Sequence, residues 1–221
     1  MRAIVLGVLL GATLAVPHAT AQVTPWRDQV RTLATATFRH PAWGASHSER
    51  DYALGRALAE KEGLAFDDDV LLAASYLHDM AAFPPFAQEG VDHADRAVAL
   101  VDSVLRATGF PMPKIERVKD AIRTHMYNRP AASAPEAALL HDADGLDWLG
   151  YVGVARMLAL VDPTGKTPGV AEAVASLRGF MTTVPPTIVT RAGQAMAAER
   201  VKAMKQFLDG LASETVGGKA Y

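Results

Sequence analysis

Residues 70–82 read VLLAASYLHDMAA, a nearly unbroken apolar run that ends in the adjacent pair His78-Asp79. The run is rich in leucine and alanine, and no polar residue interrupts it at a period of two. It therefore predicts a helix buried all round rather than a half-exposed strand. A carboxylate at the end of such a run costs several kcal/mol to bury (about 3 or more) unless it is paired or bound to a cation. Residues 137–150, AALLHDADGLDWLG, repeat the theme, with His141-Asp142 closing a second apolar run. Neighbouring helical residues point about 100° apart, so a histidine and the next aspartate share one partner only where a helix end presents both.

Working outward, almost every segment after residue 25 reads as helix. The first candidate spans Pro25 to about Arg39. The second spans 46–62, with Ser46 and Glu49 spaced as a capping box and Gly63 near its end. Phe66 to Asp69 reads as a turn with a capping acid before the apolar helix. Pro84-Pro85 breaks the chain. Helices then follow at 92–108 and 113–126, the latter with Ile115, Val118 and Ile122 on one face. A further helix starts at 136–142, and the apolar helical pattern continues over 147–160. The tail adds 170–181 and 186–213. Strand signals are poor, so the chain predicts an all-α fold, a single domain over 22–221.

The chain of 221 residues is half hydrophobic, enough for a sizeable core, and carries a formal net charge of −2. That balance argues against a nucleic-acid duplex as partner. Residues 1–21 have the parts of a secretory signal peptide: Arg2, an apolar stretch from Ile4 to Val16, and small residues Ala19 and Ala21 before a mature start at Gln22. The expectation is a periplasmic or secreted protein with no membrane segment after cleavage. With no cysteine, metal sites must use His, Asp and Glu. Six of the seven histidines lie after Gln22: His40, His47, His78, His93, His125 and His141.

Four stretches carry a resemblance: HSER at 47–50, AASYLHDM at 73–80, HDADGLDWLGYVGVAR at 141–156, and the tail from Thr190 to Glu214. The order His, His-Asp, Asp resembles the HD-domain superfamily of metal-dependent phosphohydrolases. The resemblance implies an all-α HD-type bundle with a metal-ligand core at about 40–160 and C-terminal helices at 170–213. It implies His47, His78, Asp79 and Asp142 as ligands of a divalent transition ion (Mn, Fe, Co, Ni or Zn). His141 falls where the family does not require histidine. Asp144 and Asp147 then either hydrogen-bond to the ligands from outside or cap the next helix. Some relatives carry a further His-Asp pair before the first ligand, where this chain has Trp43-Gly44.

His93 and His125 lie between the doublet and Asp142. They either complete a second metal site, with Asp79 as bridge, or face a substrate. His40 reads as ordinary surface. Asp79 is the candidate to position or deprotonate a water, and Arg50 is the cation best placed by sequence for a phosphoryl group, ahead of Lys119 and Arg123. Tyr127, Trp148 and Tyr151 either stack on a substrate or belong to the core. The expected activity is hydrolysis of a small phosphorylated substrate, a phosphomonoester or phosphodiester with nucleotides among the candidates, using one or two metal ions. The alternatives are an HD-type di-iron oxygenase and a non-catalytic metal-containing binding module.

Overall fold

The computed structural model describes residues 25–219. The signal-peptide expectation for 1–21 lies outside the described residues. Those residues form nine α-helices and no strand: α1 (Pro25–Thr37), α2 (Ala45–Glu62), α3 (Asp68–Leu77), α4 (His93–Thr108), α5 (Ile115–Arg123), α6 (Pro135–Asp147), α7 (Gly150–Leu158), α8 (Val170–Thr183) and α9 (Arg191–Glu214). No helix among them is long and apolar enough to cross a membrane.

Helix α3 is the apolar run, and it is buried from Val70 to Leu77 on every face. Asp67 caps it, accepting from the amides of Asp69 and Val70. It is surrounded by α1, α2, α5 and α6. Helix α6 is the other central rod, packed against α2, α3, α5, α7 and α9. The two apolar runs that end in His-Asp are thus the two innermost helices, which is why their polar residues meet inside the protein. In α5, Ile115, Val118 and Ile122 are all buried, as their spacing predicts.

Three boundaries differ from the sequence reading, and each matters for the site. Helix α2 starts at Ala45, with Gly44 as its cap, so Ser46 lies inside the first turn and caps nothing. The preceding loop folds back tightly: the Gly44 amide donates to the His40 carbonyl and the Ala45 amide to that of Phe38. Helix α5 ends at Arg123, which leaves His125 beyond the helix and free of its regular geometry. Helix α6 runs through all three HDADGLD acids and ends at Asp147, and a sharp reversal at Trp148 and Leu149 leads into α7. Gly150 makes that reversal, at φ +69°.

Candidate metal centre and pocket

The site is built from α2, the end of α3, the loops after α3 and α5, and α6. His47 sits in the first turn of α2. Its Nδ1 donates to Asp147 Oδ2 at 2.8 Å. His78 is the C-cap of α3, and its Nδ1 donates to the Ser75 carbonyl at 2.9 Å. An acceptor on Nδ1 fixes the proton there and leaves Nε2 with a lone pair. The two Nε2 atoms then face each other at 3.3 Å. Two lone pairs that close repel unless a proton or a metal ion lies between them.

Carboxylates complete the ring. Asp79, the next residue after the α3 cap, starts a 3-10 turn and brings Oδ2 to 3.4 Å from His78 Nε2 and 3.7 Å from His47 Nε2. Asp144 Oδ1 lies 3.3 Å from His47 Nε2. Asp51, one turn after His47 on α2, brings Oδ2 to 3.2 Å from the same nitrogen. His47, Asp51, His78 and Asp144 are all buried, and each offers a donor atom within 4.8 Å of the others. A closed set of nitrogen and oxygen donors around facing lone pairs fits a divalent transition ion.

Without an ion, the surrounding acids favour a proton on His47 in its place. Burial opposes charge on His47, but Asp51, Asp144 and Asp147 outweigh it and raise its pKa to about 10. Burial lowers the pKa of His78 and keeps it neutral. Burial also works against ionised Asp79, yet His78, His125 and His93 hold it well below the usual carboxylate range. Asp51 moves the other way, pushed up by burial and by Asp147 and Asp144.

Several expectations are corrected. Asp142 is not at the centre. It accepts from the amides of Val189 and Thr190 at 2.8 Å each and from the Thr190 hydroxyl at 2.6 Å, so it anchors the start of α9. Asp144 takes the place expected of it. The reason is helical geometry: residues two apart on a helix point about 200° apart, so only one of Asp142 and Asp144 can face inward. Asp147, three further on, returns to the side of Asp144 and meets His47. Gly193 makes room for the outward acid, since a Cβ there would lie 2.7 Å from Asp142 Oδ2.

Arg50 does not face the pocket. Its Nε and Nη2 donate to Asp147 at 2.9 and 2.7 Å, which makes it a brace for the acid that orients His47. Lys119 pairs with Glu116, and Arg123 with Asp120, on the outer side of the protein. His141 spends its ring nitrogens on the carbonyls of Thr124 and Thr187, at 2.9 and 3.1 Å. His93 and His125 do reach the centre: their Nε2 atoms lie 3.2 and 3.6 Å from Asp79 Oδ1.

A pocket of about 400 Å³ opens over Asp79, His93, His125 and Asp144. Trp43, Tyr127, Trp148 and Phe180 form apolar walls, and Arg156 supplies its cation. Tyr127 and Trp148 thus serve the pocket, whereas Tyr151 is 66% exposed and serves neither pocket nor core. His40 is more than surface: its ring stacks on Trp43 at 3.6 Å and braces that wall. Arg156 was missed although it closes the stretch DADGLDWLGYVGVAR. Its guanidinium lies 3.8 Å over the Trp148 ring and donates to Asp147 at 3.0 Å, while its buried Nε has no partner. Asp51 was also missed, and the spacing His-x-x-x-Asp on one helix was the available signal.

Residues 44–149 match the HD domain. The match begins at the cap of α2 and ends just after α6, so it encloses all the donors named above. This stretch is therefore similar to the HD domain, and it lies within an all-α bundle. Among solved structures, Bacillus subtilis YpgQ in complex with ADP is similar at a TM-score of 0.66 and 22% identity, over 87% of this chain and 100% of that one. A protein from an uncultured Thermotogales bacterium, described as a predicted HD superfamily hydrolase, matches at a TM-score of 0.62 and 25% identity, over 86% and 93%. An HD-superfamily hydrolase from Bacillus thuringiensis matches at 0.59 and 21%, over 85% and 95%. No curated protein matches the sequence.

Proposed function

We propose that the protein is a metal-dependent phosphohydrolase acting on a small phosphoester, with nucleotides the first class to test. The observation that carries this reading is the convergence of His47, His78, Asp79 and Asp144 on the floor of a pocket with aromatic walls and one inward cation. A divalent ion held there would supply Lewis acidity, both to a water molecule and to a phosphoryl oxygen. The chain's own groups do the rest. Asp79, ionised and partly open to the pocket, accepts a hydrogen bond from a water and orients it. Arg156, held over Trp148 and lining the pocket, binds an anionic oxygen. Asp147 and the Ser75 carbonyl keep both histidines with Nε2 inward. Trp43 and Trp148 suit a planar group, and the ADP named with the structurally similar YpgQ favours a nucleotide panel.

The test pairs metal analysis with phosphate release from nucleotides and simple phosphomonoesters. Asp79→Ala should lose both metal and turnover, and full activity in that variant would sink the reading.

A second reading has its own support. Asp79 divides its oxygens, Oδ2 toward His47 and His78, Oδ1 toward His93 and His125. That arrangement suits a carboxylate bridging two ions, as a di-iron oxygenase requires. Two irons per chain with oxygen consumption and no phosphate release would favour it. We also take residues 1–21 as a cleaved signal peptide, so the enzyme acts outside the cytoplasm. N-terminal sequencing of the exported protein should begin at Gln22.

A further inference from the structure

Asp51 has one polar neighbour within 3.5 Å, His47 Nε2 at 3.2 Å, a nitrogen it shares with Asp79 and Asp144. Its side chain is completely buried, and neither Oδ1 nor Oδ2 has a hydrogen-bond partner. Other carboxylates nearby have further partners, and Asp144, 3.3 Å from His47 Nε2, also opens to the pocket. Asp147 is held by Arg50 and Arg156, Asp142 by the start of α9, and Asp79 lies among three histidines. A buried carboxylate with two empty acceptors is costly, by several kcal/mol (about 3 or more), unless a cation faces it.

The distances say where that cation sits. Donors that bind one transition ion at about 2.1 Å stand about 3 Å apart at neighbouring positions. Asp51 Oδ2 is 3.2 Å from His47 Nε2 and 3.7 Å from His78 Nε2. Those separations match the ones that Asp79 and Asp144 keep, 3.4 and 3.3 Å from the nearer histidine nitrogen. Helix α2 enforces the approach, because residues four apart lie one above the other on a single face.

Granting the metal-centre reading above, we propose that Asp51 is a fifth protein ligand of the ion. The centre would then draw on two histidines and three aspartates, with a place left for water or substrate. The added negative charge raises affinity for a divalent ion and slows its release.

The experiment compares Mn²⁺ binding by wild type, Asp51→Asn and Asp79→Ala, by calorimetry and thermal melting of the metal-free and metal-loaded proteins. Asp51→Asn should bind Mn²⁺ at least tenfold more weakly. Its metal-free form should melt at or above the wild-type temperature, since an unsatisfied carboxylate has gone, and metal should raise its melting temperature less. A residue with only a packing role would lower the metal-free melting temperature and leave affinity alone. Binding by Asp51→Asn within twofold of wild type overturns the assignment while the metal centre stands, provided Asp79→Ala loses the ion. Wild type that takes up no Mn²⁺ overturns the metal centre itself. Should Asp51→Asn fail to fold, electron paramagnetic resonance of wild type loaded with less than one equivalent of Mn²⁺ decides. Line broadening in ¹⁷O-water should report one exchangeable water, and two would remove Asp51 from the ion.

Discussion

Asp142 and Asp144 stand two residues apart and do unrelated work. Asp142 holds two amides and a hydroxyl at the entry to α9, so Asp142→Ala should destabilise the fold by about 2–3 kcal/mol, the scale of lost hydrogen bonds to a charged acceptor. Denaturant unfolding should show that loss while metal stoichiometry stays intact. Asp144→Asn should do the reverse, weakening metal uptake with little change in metal-free stability. His47 makes a separate prediction. Its pKa of about 10 means the metal-free centre carries a proton near neutrality, and an ion must displace it. Affinity should therefore rise with pH, by up to about tenfold per unit while that proton is bound, and level off above pH 10. Calorimetry in buffers of different ionisation enthalpy should count about one proton released per ion. A flat profile from pH 6 to 9 would show that the carboxylates do not hold that proton.

At the scale of elements, the hinge from α6 to α7 couples the metal donors to the pocket. Asp147 ends α6, Gly150 turns the chain, and Arg156 comes back along α7 to the same carboxylate. One acid thereby orients His47 through Nδ1 and Arg156 through Nη1. Asp147→Asn should cost about 10- to 100-fold in metal affinity, the usual penalty for loosening a ligand's outer partner. Arg156→Lys keeps a charge but loses the flat guanidinium that lies on Trp148. It should raise KM for a phosphoester by about tenfold without moving metal content, and an unchanged KM would place the substrate elsewhere.

For the molecule as a whole, the metal centre joins α2, α3 and α6, so its occupation should stabilise the fold globally. An ion present at a hundred times its Kd adds about 2.7 kcal/mol, which for a chain of this size raises Tm by about 5–10 °C. Chelation should return that increment in wild type and give little change in Asp79→Ala. Equal melting temperatures with and without chelator in wild type would show that no ion links the helices. The apolar burial of α3 accounts for the arrangement: a helix with no exposed face must lie at the centre, and its end delivers His78-Asp79 there.

The sequence by itself determined that the protein is all-helical, that residues 70–77 form its innermost helix, and that His47, His78 and Asp79 are candidates to converge. The first two inferences rest on local apolar continuity; the third rests on the cost of a carboxylate at the end of an apolar run for His78-Asp79, and on the resemblance of the His, His-Asp, Asp order to the HD family for His47. Only the tertiary structure decided which acid of HDADGLD faces inward, because helical phase relative to a neighbour is not written in the order of residues. Nor could spacing show that Arg50 would be taken by Asp147, or that Arg156 would turn back into the pocket through Gly150. Asp51 had a similar status: the His-x-x-x-Asp spacing puts it on the face of His47, but such a spacing is also common for a solvated polar pair. It becomes a candidate ligand once α3 and α6 close over it and leave its oxygens without water.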